Sequence, residues 1–219
     1  MPTRRARYEL LPLWLMLLMA IPVIAGLARI YSLVTGVAIS PDDIRFFEAP
    51  LPVALHVVGA CIYAVLGALQ LTPSFRRRFP RWHQRAGRVL IIAGLTVALS
   101  GIWMTLLYPL SALQGPLLFW TRLVLGAAMA GWLVQGYVSA RRRDFATHSA
   151  AMIRAYAVGL GAGTQALTQL PYFLIFGRPD QLTLDAMMLG AWLINLAIAE
   201  WVIRAARPGR TPAALSSLP

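Results

Sequence analysis

The sequence predicts an all-α polytopic membrane protein, a six-helix transmembrane bundle with both termini in the cytoplasm. Three observations carry that prediction. Of 219 residues, 58% are hydrophobic and 13% charged, too little polar surface for a soluble domain of this size. Six apolar runs are each long enough for a helix to cross a bilayer core, which takes about 20 residues. Sixteen of the 20 basic residues, all of them arginine, fall in four segments that the runs place on one side, and only Arg29, Arg45, Arg122 and Arg178 fall on the other. Short basic loops stay in the cytoplasm, and an odd number of spans would put one of the clusters outside.

Residues 1–9 form a short cytoplasmic N-terminus with Arg4, Arg5 and Arg7. The first apolar run, Leu10 to Ala28, has small residues at Gly26 and Ala28 that suit a signal-peptide cut. It is longer than a usual signal core and continues through Ile30, Tyr31, Leu33 and Val34, so it reads as a retained first helix, kinked near Pro22. Ser40 to Pro50, with three of the eight acids and two prolines, is the first outer loop, and its Phe46 and Phe47 suit the interface.

Leu51 to Leu71 is the second span. It discharges into Arg76, Arg77, Arg78, Arg81, Arg85 and Arg88, among which Phe75, Phe79 and Trp82 read as an interfacial belt. Val89 to Tyr108 is the third span, closed by Pro109 and the turn from Ser111 to Pro116. Leu117 to Ala140 is the fourth, ending in Arg141, Arg142 and Arg143. Ser149 to Phe176, through Pro171, is the fifth, and Leu184 to Ile203 the sixth. The transmembrane domain is thus residues 10–204, and 205–219 is a cytoplasmic tail of disordered composition.

A net charge of +12 in a soluble chain would suggest nucleic acid. Here the arginines lie between apolar spans, where they orient the protein and meet the bilayer and its anionic lipids, so nucleic acid is not an expected partner. The absence of lysine reads as the coding bias of a GC-rich genome, and the expected location is a bacterial inner membrane. Cys61 is alone inside a span, so there is no disulfide framework or thiolate metal cluster. Helix association should rest on small residues at every fourth position: Ala60, Ala64 and Ala68; Ala127 and Gly131; Ala155, Gly159 and Gly163. Homo- or hetero-oligomers are both compatible with such faces.

Polar side chains inside a membrane are costly unless paired or hydrated, so each is a candidate for function. An outer layer comprises Arg29, His56, Arg122, Gln165 and Gln169. Two guanidinium groups beside an imidazole suit an anion or a polar headgroup. The alternative is that the arginines snorkel to the interface and His56 bonds a carbonyl of a neighbouring helix. An inner layer comprises Gln70, His83, Arg88, His148 and Arg154. His83 and His148 sit at similar depth and could ligate a b-type haem or a metal, with Asp144 holding the second nitrogen of one ring. The alternative is neutral histidines bonded to loop backbone. Glu200 and Arg204 form an i, i+4 pair, and Asn195 should bond a neighbouring helix. No spacing of a catalytic triad, HExxH, CxxC or phosphate loop is present, and no catalytic residue is assigned.

Three pieces of sequence, HVVGACIYAVLGALQ from His56 through Gly59 to Gln70, HQRAGR from His83, and HSAAMIRAYAVGLGAGTQ from His148, together resemble a bacterial family of predicted multi-pass membrane proteins, domain of unknown function 2306. The likeness runs from about Ile44 to Ile203. It implies that His56, Gln70, His83, Arg88, His148, Arg154 and Gln165 are the positions to test, and it implies no activity. The chain departs from that pattern at Gln84, where an arginine is usual, and at Ser149 to Ala151, where the family is more polar and aromatic. The functional expectation is a non-enzymatic protein whose polar interior binds a small ligand or lipid, as a transporter or accessory subunit. The alternatives are a haem- or quinone-linked redox subunit and a structural or regulatory membrane partner.

Overall fold

The computed structural model describes residues 10–38, 43–109, 111 and 114–206. Residues 1–9, 39–42, 110, 112, 113 and 207–219, which include the arginines at positions 4, 5, 7, 207 and 210 and most of the expected tail, lie outside the described residues. Within them every regular element is helical. The helices are α1 (Leu11–Thr35), α2 (Ile44–Glu48), α3 (Pro50–Gln70), α4 (Pro73–Arg78), α5 (Pro80–Leu107), α6 (Pro116–Arg141), α7 (Phe145–Gly159), α8 (Gly161–Phe176) and α9 (Gln181–Ala205). Proline stands in the first turn of α1, α3, α4, α5 and α6. Its fixed φ and missing N–H cost least in that position.

Five helices, α1, α3, α5, α6 and α9, are long and apolar enough to cross a membrane. The stretch expected as one fifth span is divided at Leu160 into α7 and α8, neither of which reaches that length alone. Two boundaries also move. The helix of the third expected span, α5, begins at Pro80 rather than Val89, so Trp82, His83, Arg85 and Arg88 are helical, and Phe75 packs edge-on against Trp82 at 4.7 Å. The first helix carries Pro22 in its interior without ending there, and closes on Gly36 in the left-handed region (φ 74°), whose N–H reaches Ser32 O.

The long helices form a closed circuit. α3 lies between α1 and α5, α6 follows α5, α7 packs on α6, α9 joins α7 to α8, and α8 returns to α1. The core is built at one depth by Tyr63, Leu90, Met129, Leu133 and Tyr156. Close helix approach falls on glycines, as packing in lipid requires. A Cβ on Gly159 would stand 2.8 Å from the Tyr63 ring, and one on Gly163 2.5 Å from Leu18 O. Ala64, Ala68 and Ala155 are buried as expected. The expected stripe on α6 is not a contact face: Ala127 is exposed, and nothing approaches Gly131 within 4 Å. The contacts there are made by Gly126 against Ile102 and Gly136 against Met152.

Candidate functional site: a cationic cavity beside a broken helix

Inside the circuit, in the half away from the arginine-rich loops, lies a cavity of about 470 Å³. That is within the range of about 300–1,000 Å³ usual for small-ligand sites. Apolar side chains make most of its wall, among them Met19, Val23, Val57, Leu125, Met129 and Trp192. Polar side chains stand among them: Arg45, His56, Thr105, Tyr108, Gln114, Arg122 and Gln165.

Each is positioned by its helix. His56 is in the second turn of α3, where its Nδ1 lies 3.1 Å from Val97 O and 3.1 Å from Ser100 Oγ of α5. This meets the expectation of a carbonyl partner on a neighbouring helix. A carbonyl only accepts, so Nδ1 carries the hydrogen and Nε2 is the bare nitrogen. Arg122, in the second turn of α6, donates to Gln114 Oε1 at 3.0 Å. Arg45, on the short α2, donates to Pro109 O at 3.1 Å and lies 4.8 Å from the Phe46 ring centroid. Its Nε is buried without a partner among the described residues. Gln165 of α8 donates to Met188 O at 3.3 Å, which leaves its amide oxygen free to accept. Tyr108, just past the end of α5, donates to Ala49 O and packs edge-on against Phe46. Burial raises its phenol above the ordinary value.

The break at Leu160 opens onto this cavity, since Val158, Gly159 and Ala162 line it. An interrupted helix frees backbone groups that lipid cannot satisfy. Here α9 supplies the donors: Trp192 Nε1 to Val158 O at 3.1 Å and Asn195 Nδ2 to Ala157 O at 3.2 Å, with Thr164 closing onto Asn195 Oδ1 at 2.8 Å. Backbone bonding resumes at Gly163 and Thr164, both onto Leu160 O. The Gly161 and Ala162 N–H groups at the start of α8 have no acceptor among the described residues.

Two members of the expected outer layer are not in the cavity wall. Arg29 pairs with the buried carboxylate of Asp43 at 2.6 Å and lies 4.6 Å from the Phe46 centroid, so its charge is spent holding α2 against α1. Gln169 lies one turn beyond Gln165, past the lining residues. Asp185, which the sequence reading passed over, is 1% exposed. From the second turn of α9 it accepts from Gly115 N and Leu118 N, both at 3.0 Å, and so caps α6. An acid just inside an apolar run was its sequence signal.

The inner layer divides. Gln70 donates to His83 O at 3.1 Å, tying α3 to α5. Arg88 is exposed. Arg154 makes a bidentate ion pair with Glu200 of α9 through Nε and Nη2, a partner across the bundle that the expected Glu200–Arg204 pair did not anticipate. His148 Nδ1 lies 2.8 Å from Gly136 O, and that carbonyl, not Asp144, holds the ring. Asp144 instead caps α7 through Thr147 N at 3.1 Å. His83 Nδ1 is buried with no partner among the described residues, and His83 and His148 are close enough to act on one another electrostatically.

Neither curated proteins nor solved structures yield a match to this chain. A family described as "predicted membrane protein (DUF2306)" matches residues 53–203, a stretch that holds all three histidines, Arg122, the broken helix and the acid that caps α6. On that match, over more than half its length, the chain belongs to the DUF2306 family of predicted membrane proteins.

Proposed function

We propose that this protein binds a small anionic amphiphile, an acid headgroup carrying one short apolar chain or ring, in the cavity between α1, α3, α5, α6, α8 and α9. The observation that carries this reading is the pair Arg45 and Arg122, set at one end of a largely apolar cavity with no ion pair to either among the described residues. Guanidinium groups in such surroundings favour an anionic oxygen acid. The start of α8 at Ala162 also lines this cavity, and a helix N-terminus favours negative charge. A discontinuous helix lining a cavity is an arrangement used by secondary transporters, and supports a transporter-like role over a purely structural one. The arginine asymmetry supports six spans in a bacterial inner membrane, α7 and α8 together making the fifth, with both termini inside and the cavity towards the outer face.

The test is calorimetric titration of decanesulfonate, decanol and inorganic phosphate into the protein in nanodiscs of zwitterionic lipid. The reading expects decanesulfonate to bind, decanol to bind at least about tenfold more weakly, and Arg122→Gln to remove that difference, because a charge-assisted hydrogen bond is worth about 1.5–3 kcal/mol. Phosphate binding as tightly as decanesulfonate would assign the site to a free inorganic anion. Loss of decanesulfonate binding in nanodiscs rich in phosphatidylglycerol would assign it to a bilayer headgroup.

A second reading rests on His148, whose Nδ1 bond to Gly136 O leaves Nε2 facing outward from the bond, as in a metal-ligating histidine with its supporting carbonyl. With the unpartnered nitrogen of His83 nearby, the two could hold a b-type haem. Oxidised and dithionite-reduced spectra of protein from haem-supplied cells test this: a stoichiometric band lost on His148→Ala supports it, and a colourless protein removes it.

A further inference from the structure

Nε2 of His56 is a second unfilled position in the cavity, of opposite character to the arginines. The hydrogen on Nδ1 is fixed there by two acceptors, since Ser100 Oγ spends its own proton on Thr96 O and so receives from His56 as Val97 O does. The neutral ring therefore holds a lone pair on Nε2, in a side chain that lines the cavity, with no partner among the described residues. The charged and titratable groups around it come from every neighbouring element. α6 contributes Arg122, in the same cavity wall. α2 contributes Arg45 at the cavity wall and Glu48 at the exposed surface. Arg29 of α1 is paired with Asp43, Asp185 of α9 is bound to two backbone N–H groups, the Tyr108 hydroxyl past α5 is on Ala49 O, and Cys61 lies farther along α3.

A proton on Nε2 would add a third positive charge to a largely apolar cavity whose wall already holds two guanidinium groups. An anion cancels that repulsion, and the protonated ring in turn gives the anion another charged donor. We infer that anion binding in this cavity is coupled to uptake of one proton at Nε2 of His56, so that the protein takes up an anion and a proton together. The proton comes from water and stays on the ring; Nδ1–H keeps its bonds to α5 throughout. This rests on the anion-binding reading above. It supplies a route to proton coupling that needs no carboxylate in the cavity.

Calorimetry of decanesulfonate binding in buffers of different ionisation heat measures the protons taken up. The probe is the anion of a strong acid, so any proton belongs to the protein. Between about pH 8 and about pH 5.5, where an imidazole exchanges its proton, uptake should approach one proton per anion. Affinity should rise by up to about tenfold per pH unit. His56→Gln, whose amide can still donate to Val97 O, should bind decanesulfonate with neither uptake nor pH dependence. Wild-type binding of constant affinity without uptake overturns this inference and leaves the anion reading standing. Uptake that survives in His56→Gln overturns it by placing the proton elsewhere. No binding at any pH overturns both.

Discussion

Trp192 of α9 donates its indole N–H to Val158 O at 3.1 Å, and through that bond the helix that runs from Phe145 to Phe176 can break beside the cavity. A carbonyl released in lipid has no water to turn to, so the break is as stable as its replacement donors. The Trp192 ring reaches the carbonyl because residue 161 is glycine: a Cβ there would collide with the indole. Gly161, Trp192 and Asn195 therefore act as one device, which stabilises the break beside the cavity.

Asn195→Leu should destabilise the protein by about 1 kcal/mol, since an interhelical hydrogen bond in a membrane averages about 0.6 kcal/mol and two are lost. It deletes both the bond to Ala157 O and the Thr164 contact. Sodium dodecyl sulfate titration followed by circular dichroism reads the change. Stability equal to wild type would mean that the freed carbonyl finds another donor.

Gly67→Ala and Gly131→Ala should have opposite signs. A Cβ at Gly67 would overlap the Tyr156 ring, which cannot retreat because its hydroxyl donates to Ala64 O at 2.8 Å in the core. Overpacking of that kind costs about 1–3 kcal/mol. Nothing lies within 4 Å of a Cβ at Gly131, so alanine there should be neutral or stabilising by about 0.5–1 kcal/mol. The same detergent titration compares the two.

That contrast shows what was legible in the sequence. Span positions followed from apolar length, and the arginine-rich loops from composition, both properties of a single segment. His56, Arg122 and Gln165 were marked as functional by polarity at membrane depth, and the structure brings these three to one cavity. Spacing alone picked out Gly131 and passed over Gly67, because which face of a helix meets a neighbour depends on the neighbour. For the same reason the break at Leu160 was hidden: its stabilising donors lie on α9, more than 30 residues away. Arg29 was assigned to the ligand layer because Asp43 sits in a loop whose fold back onto α1 no periodicity encodes.

Arg154 and Glu200 should show a coupling energy of about 1 kcal/mol in a double-mutant cycle with Arg154→Gln and Glu200→Gln. Both side chains are partly exposed, at 25% and 34%, so water screens the pair and the full value of a buried ion pair is not expected. Zero coupling would mean that α7 and α9 are held by their apolar contacts and by the Trp192 and Asn195 hydrogen bonds, without help from the ion pair.

Gly115→Ala should lower stability by about 1–3 kcal/mol through Asp185 rather than through the backbone. The φ of Gly115 is −98°, which any residue adopts, but its Cβ would stand 2.6 Å from Asp185 Oδ2. The carboxylate cannot swing away without releasing Gly115 N and Leu118 N, two N–H groups of the α6 terminus. Asp185→Ala should cost a comparable amount by leaving those groups unpaired, and the double variant should be less damaging than the sum, because each change breaks the same cap.

Acid should weaken the two exposed helix caps in a defined window. Asp144 is held below the usual carboxylate range by side-chain and backbone hydrogen bonds from Thr147, and Asp180 by the backbone N–H and then the side chain of Thr183. In the unfolded chain each returns to about 3.9, so the unfolded state binds more protons as the pH falls. The caps therefore contribute fully above the unfolded value, and their contribution is lost as the pH drops through the lower folded value. Asparagine at either position still accepts from the N–H three residues on but does not titrate. Unfolding midpoints taken from about pH 6 down to about pH 3 should fall less steeply in Asp144→Asn and Asp180→Asn than in the wild type, with curves that converge at the acid end. Parallel curves would mean that neither cap contributes to the acid response.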